Sequence, residues 1–213
     1  MSKNNSYKLC IFGDKSECNE CNLKEKLDCH FDLKKLICFG GLFFFIVITG
    51  SIGLIFNGLM VEFIISLISL VIFAIIFFEF WEIRILCSHC PFYSEKGKFL
   101  RCYGNYGSLK IWKYHPEPMS KNEKIQLLIG FVIIFSIIAI PIIILLLNQL
   151  YIWSVLPIIG YILWFYDIKK FHCPKCNNFS CPLNKQSKQV IDEFLKRNPV
   201  MKEAWEKSGW IVE

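Results

Sequence analysis

Residues 36–56 read LICFGGLFFFIVITGSIGLIF and residues 125–147 read IQLLIGFVIIFSIIAIPIIILLL, two runs without a single charged side chain. A bilayer's hydrocarbon core, about 30 Å thick, is crossed by roughly 20 residues of apolar helix. Each run is long enough, and neither shows the polar stripe that a helix on a soluble bundle would need. Two further segments complete the set. Phe63 to Phe80 continues as helix to Leu86, and Leu150 to Tyr166 is shorter and carries Pro157 and Gly160. Tyr151, Trp153, Trp164 and Tyr166 border that last span, as interfacial aromatics do. Pro141, inside the third run, predicts a kink because its missing N–H breaks the helical ladder.

The whole composition agrees. Hydrophobic residues make up 54% of the chain and charged residues 20%, and the mean hydropathy is +0.41. Solid apolar runs exclude a soluble domain, a disordered chain and a secreted disulfide mini-protein, and they exclude a membrane β-barrel, whose strands would alternate. The expected fold is all-α: a four-span helical membrane protein of two hairpins, 36–86 and 125–166. Polar segments 1–35, 87–124 and 167–213 flank them. The connections inside each hairpin, at Asn57-Gly58 and at Asn148-Gln149, hold no Lys or Arg, so all 24 basic residues fall on one side. The positive-inside rule makes that side cytoplasmic, with both termini inside a plasma membrane. The polar, Cys-rich start lacks the form of a cleaved signal peptide.

Ten of the eleven cysteines lie in the polar segments. Cys10, Cys18, Cys21 and Cys29 precede the first span, Cys87, Cys90 and Cys102 follow the second, and Cys173, Cys176 and Cys181 follow the fourth. In a reducing compartment such pairs mean metal or redox chemistry. Two intervening residues let both sulfurs of a turn reach one ion at about 2.3 Å. The first set, C-x7-C-x2-C-x7-C, could close one site alone. Of the rest, Cys87, Cys90, Cys173 and Cys176 could form one four-thiolate site joining the hairpins, with Cys102 and Cys181 spare. Alternatively each hairpin owns three thiolates and a histidine, His89 or His115 in one and His172 in the other. The first arrangement is preferred. Zinc is the favoured metal and a [4Fe–4S] cluster the alternative. Cys38, inside a span, reads as a small buried apolar residue.

Each hairpin exits in a comparable way, through Glu82-Ile83-Arg84-Ile85-Leu86 into Cys87-Ser88-His89-Cys90 and through Asp167-Ile168-Lys169-Lys170-Phe171-His172 into Cys173-Pro174-Lys175-Cys176. This suggests an internal repeat about a pseudo-twofold axis along the membrane normal. Glu79 is the acid in the apolar part of the second span, either a proton or cation site or a carboxylate reaching back to the interface. The central loop mixes Tyr93, Phe99, Tyr103, Trp112 and Tyr114 with Lys96, Lys98, Arg101, Lys110 and Lys113, a blend suited to anionic lipid headgroups rather than to nucleic acid here. In the tail, Val190, Ile191, Phe194 and Leu195 share a helical face. Asn198-Pro199 breaks it, and Val200, Met201, Ala204 and Trp205 continue on a second helix. These helices would lie on the membrane or cover the metal sites.

The strings CSHCPFY from Cys87 and HCPKCNNFSCPLN from His172 resemble those of a prokaryotic, mainly archaeal, family of small four-helix membrane proteins, for which the resemblance implies no activity. The N-terminal spacing distantly resembles the iron–sulfur loop of some DNA-repair glycosylases. Palmitoyltransferases share four spans with a zinc-binding loop, but their Asp-His-His-Cys motif is absent. The expectation is a membrane protein binding structural metal, acting as a scaffold or docking protein. The alternatives are an iron–sulfur electron carrier and, behind it, a thiol oxidoreductase or a transporter.

Overall fold

The computed structural model describes residues 7, 9–12 and 21–213, and among these the regular structure is all helical, with one isolated bridge, Phe99 to Leu109, in the irregular central loop. Four helices are long and apolar enough to cross a membrane: Leu33–Phe56, Met60–His89, Lys121–Leu147 and Tyr151–Lys175. The first is α1 (Leu33–Phe56), whose start is fixed by Asp32 accepting from the Lys34 amide at 2.9 Å. The second begins as α2 (Met60–Ala74), widens into a π-helical stretch over Ile75–Trp81 and ends as α3 (Glu82–Ile85). The third is α4 (Lys121–Leu147), with a reciprocal capping box between Ser120 and Glu123. The fourth, α5 (Tyr151–Asp167), runs into a second π-helical stretch, Ile168–His172.

The sequence placed the first and third starts later, at Leu36 and Ile125, because it followed the apolar runs. Cap chemistry carries the helices one turn further into polar sequence. Pro141 does not interrupt α4, which is continuous through it and brings the ring against Gly50 of α1. Cys38 is exposed on the outer face of α1, not buried as expected. Its neighbours on that face, such as Ile37 and Phe44, point outward too, as does Ile152 of α5 at 87% exposure. Such a surface belongs in lipid.

The internal repeat is visible in the backbone. Both hairpin tips are Schellman turns: the Leu59 amide donates to Leu54 and the Gly58 amide to Ile55, while the Leu150 amide donates to Leu145 and the Gln149 amide to Leu146. Asn57 and Asn148 each donate their side-chain amide back to the preceding turn, at 2.7 and 2.9 Å. Between hairpins, α1 packs most heavily on α5 and α2 on α4. Exchanging first with third span and second with fourth carries one contact onto the other, as a pseudo-twofold requires. A glycine admits a phenylalanine ring at each crossing, Gly130 taking Phe77 and Gly160 taking Phe45. Ile46, Phe77, Leu127, Ile134, Ile138 and Trp164 fill the centre.

The polar segments gather at one end of the bundle. Helices α6 (Lys188–Arg197) and α7 (Pro199–Lys207) bury Val190, Ile191, Phe194, Leu195, Met201 and Trp205 against Leu9, Ile11, Leu23 and Leu27 of the N-terminal segment. The amphipathic tail faces are therefore covered by the chain itself. Asn198, fully buried, accepts from the Cys10 amide at 2.7 Å and donates to its sulfur at 3.3 Å. The Asp28 amide donates to Lys175 at 2.9 Å, and Phe31 stacks on Tyr103 and Tyr106 of the central loop.

Candidate functional site

Each C-x-x-C motif caps the polar end of its hairpin in one conformation. The backbone leaves the helix at Leu86 or His172, makes a single 3₁₀ turn over Cys87–His89 or Cys173–Lys175, and becomes extended at Cys90 (φ −83°, ψ 135°) or Cys176 (φ −71°, ψ 134°). Both turns border a common space. Between them lies a chamber of about 460 Å³ lined by Cys87, Cys90, Cys102, Cys173, Cys176 and Cys181. Cys102 and Cys181, read as spare from the sequence, thus belong with the two pairs. The bridge between Phe99 and Leu109 folds the central loop back so that Cys102 returns to the chamber.

Burial pushes the thiols of Cys90, Cys102 and Cys176 above their ordinary range, and neighbouring thiolates push further, Cys102 and Cys181 acting on Cys90 and all three acting on Cys176. Burial holds Cys181 up to about 12. Without a cation these groups stay protonated, since several thiolates cannot share a desolvated site unaided. That environment is opposite to the electropositive one that makes a reactive cysteine. Hydrogen bonds already meet two of the sulfurs: Asn105 Nδ2 donates to Cys87 at 3.2 Å and the Asn178 amide to Cys176 at 3.4 Å.

Other polar groups face the same space without a partner. Glu82 is 5% exposed, its Oε2 has no hydrogen bond, and it lines the chamber. Asn105, Asn177 and Asn178 each present an unpartnered buried Oδ1 there. His172 holds Asp167 through Nε2 at 2.9 Å, which leaves Nδ1 buried, unpartnered and among the chamber-lining groups. A histidine whose second nitrogen is oriented by a carboxylate is a common form of metal ligand. Buried oxygens and nitrogens are paired in nearly all proteins, so these atoms make this wall the candidate site among the described residues. Among the described residues, however, no three Cys, His, Asp or Glu side chains already close on one point as a single ion requires.

The remaining sequence candidates lie elsewhere. His89 is tied to the Glu117 carbonyl at 2.7 Å and faces Glu123, and His115 pairs with the Glu117 carboxylate, so neither lines the chamber. Glu79 accepts from the Leu109 amide at 3.2 Å, anchoring the central loop to the helix end. Cys10, Cys21 and Cys29 all pack on the core that the N-terminal segment forms with α6 and α7. Cys18 falls outside the described residues. In the loop, Arg84 sits over Trp112 and Lys110 over Tyr93, at 5.4 and 5.8 Å, so part of the basic and aromatic mixture is engaged internally.

The sequence reading fixed on Glu79 and passed over Glu82. The signal that finds Glu82 is the repeat: Glu82-Ile83-Arg84 and Asp167-Ile168-Lys169 open the two exits with the same acid, isoleucine, base order. Both acids are buried, at 5% and 8% exposure. Comparison with known proteins adds no guide, for no protein family, curated protein or solved structure matches this chain.

Proposed function

We propose that this membrane protein carries a thiolate-ligated metal centre in its polar-end chamber, as an iron–sulfur redox protein of the inner membrane face. The carrying observation is that six cysteines from both hairpins line one buried space. Six cysteines in one wall exceed the four that a lone tetrahedral ion takes, which supports a polynuclear cluster. The donated N–H···S bonds suit a bound thiolate cluster, whose potential such bonds tune. Cys87, Cys90, Cys173 and Cys176 are the first four ligands, with Cys102, Cys181 and His172 within the same wall. When bound, the centre would supply one-electron chemistry beside the membrane.

A structural zinc scaffold is the second reading. What favours it is that the chamber is where both hairpins and the central loop meet, the place where a crosslinking ion contributes most. The basic bias of this end supports its placement in the cytoplasm against anionic headgroups. The test is elemental analysis and a visible spectrum of protein expressed and purified without oxygen. Iron with matching acid-labile sulfide and a broad visible band supports the cluster. Colourless protein with stoichiometric zinc replaces it with the scaffold, and metal-free protein overturns both.

A further inference from the structure

The sulfurs occupy only one end of the chamber. Its other end runs into the bundle, where Phe39, Phe43, Phe77, Phe131, Phe135 and Trp164 form the wall. From Cys87 back to Phe77 a helix rises roughly 15 Å at 1.5 Å per residue. A space of about 460 Å³ is far larger than a metal centre needs and falls in the range of small-molecule pockets. Interiors are close-packed and an apolar wall does not hold water, so a molecule that fills this half is itself apolar. The chamber also reaches Phe44, which is 60% exposed on the outer face of α1, so the way in is from the lipid.

Two observations select the kind of molecule. Phe39, Phe43 and Phe135 pack directly on Trp164, at centroid distances of 5.7 to 5.8 Å, so this wall is a rigid aromatic surface, one on which a flat ring stacks better than a flexible chain. Trp164 Nε1 is buried with no acceptor, while Glu82, Asn105 and Asn178 present acceptors with no donor toward the sulfurs. An acyl chain would satisfy none of these. A ring bearing a carbonyl oxygen takes the Trp164 N–H with that oxygen while its face lies on the aromatic wall.

We propose that the aromatic half of the chamber binds a lipid-soluble quinone, its ring against the phenylalanine wall and its distal carbonyl on Trp164. The site does not depend on which metal the sulfurs hold. Gly40 gives a way to fill it, because this residue lines the chamber and a Cβ added there meets nothing within 4 Å.

The experiment is calorimetric titration of the full chain in detergent with a naphthoquinone bearing a short prenyl tail, on metal-loaded and chelator-stripped protein. Saturable binding of one quinone per chain is expected. Trp164→Phe should weaken it about tenfold through the lost hydrogen bond, and Gly40→Leu should abolish it while circular dichroism reports an unchanged fold. Absence of saturable binding to either form overturns the proposal. So does binding that both variants leave unchanged, and so does displacement of the probe by equal oleate, which would make this an acyl-chain site. Quinone binding by protein that never holds metal would sink the metal reading and leave this one standing.

Discussion

The two hairpins share a tip, an acid-isoleucine-base run and a C-x-x-C turn, yet they treat the acids of that run differently. Asp167 in the second is paired to His172 at 2.9 Å, whereas Glu82 in the first keeps an oxygen without a partner toward the chamber. The third cysteines differ as well. Cys181 follows its pair through a short turn, and Cys102 returns only after the central loop has folded back. Shared backbone therefore reflects what the architecture requires, two helix pairs ending at one level. The unshared side chains show where the halves divide labour, one contributing an oriented imidazole and the other an open carboxylate.

The largest effect should come from breaking one half of the cysteine wall at a time. Replacing Cys87 and Cys90 by serine, or Cys173 and Cys176, removes all chamber metal in either case if the halves share one centre. Independent sites would each lose only their own share, which elemental analysis separates. Thiolate metal contributes on the order of 10 kcal/mol to folding in small domains, so the shared-centre variants should also show much lower melting temperatures.

Next in size is the crossing of α2 with α4. A Cβ on Gly130 would collide with the Phe77 ring, while one on Gly40 meets open space. Gly130→Ala should therefore destabilise by about 1–3 kcal/mol through overpacking, and Gly40→Ala should be neutral or slightly stabilising through helix propensity. Denaturation in a mild detergent reads both. Equal behaviour of the two would mean that the hairpins do not approach as closely as described.

The equivalent acids should then respond oppositely in metal-free protein. Asp167→Asn takes the carboxylate from His172 and should cost about 1–3 kcal/mol, as unsatisfied buried groups do. Glu82→Gln removes a buried carboxylate that has no cation beside it, and stability should hold or rise. A loss of stability for Glu82→Gln as large as that for Asp167→Asn would erase the proposed division of labour.

Much of this architecture is written in the sequence, because apolar length is a one-dimensional property. The runs at 36–56 and 125–147 announce their spans without any knowledge of neighbours, and the two C-x-x-C motifs announce their turns. Boundaries were harder. Lys34 and Lys35 look like the start of a loop, but the Asp32 cap draws them into α1. The composition of the chamber was harder still, since Cys102 joins it only through a fold-back of the central loop. Glu82 opens α3 just past the π-helical stretch that holds Glu79, and across such a stretch a 3.6-residue period misjudges which face a side chain takes. The tail illustrates the same limit: its amphipathic faces were plain, but their covering, Leu9, Ile11, Leu23 and Leu27, comes from the far end of the chain.

The smallest effect concerns the tips, which share their hydrogen bonds and differ over Asn57-Gly58-Leu59 and Asn148-Gln149-Leu150 at one residue. Gly58 has φ +75° and its counterpart Gln149 has φ +60°, the left-handed region in both. Glycine enters that region freely, whereas an L side chain crowds its own carbonyl there and costs about 1 kcal/mol. Gln149→Gly should raise stability by up to about 1 kcal/mol, offset in part by the greater freedom of the unfolded glycine, and Gly58→Gln should lower it by a similar amount. Neither change touches the chamber, which lies at the opposite end of both hairpins, so metal content and quinone binding should be unaltered. Opposite shifts in melting temperature at constant metal content would establish that the two tips are one structural solution used twice. Shifts of the same sign would mean that the tips carry different loads despite their common hydrogen bonds.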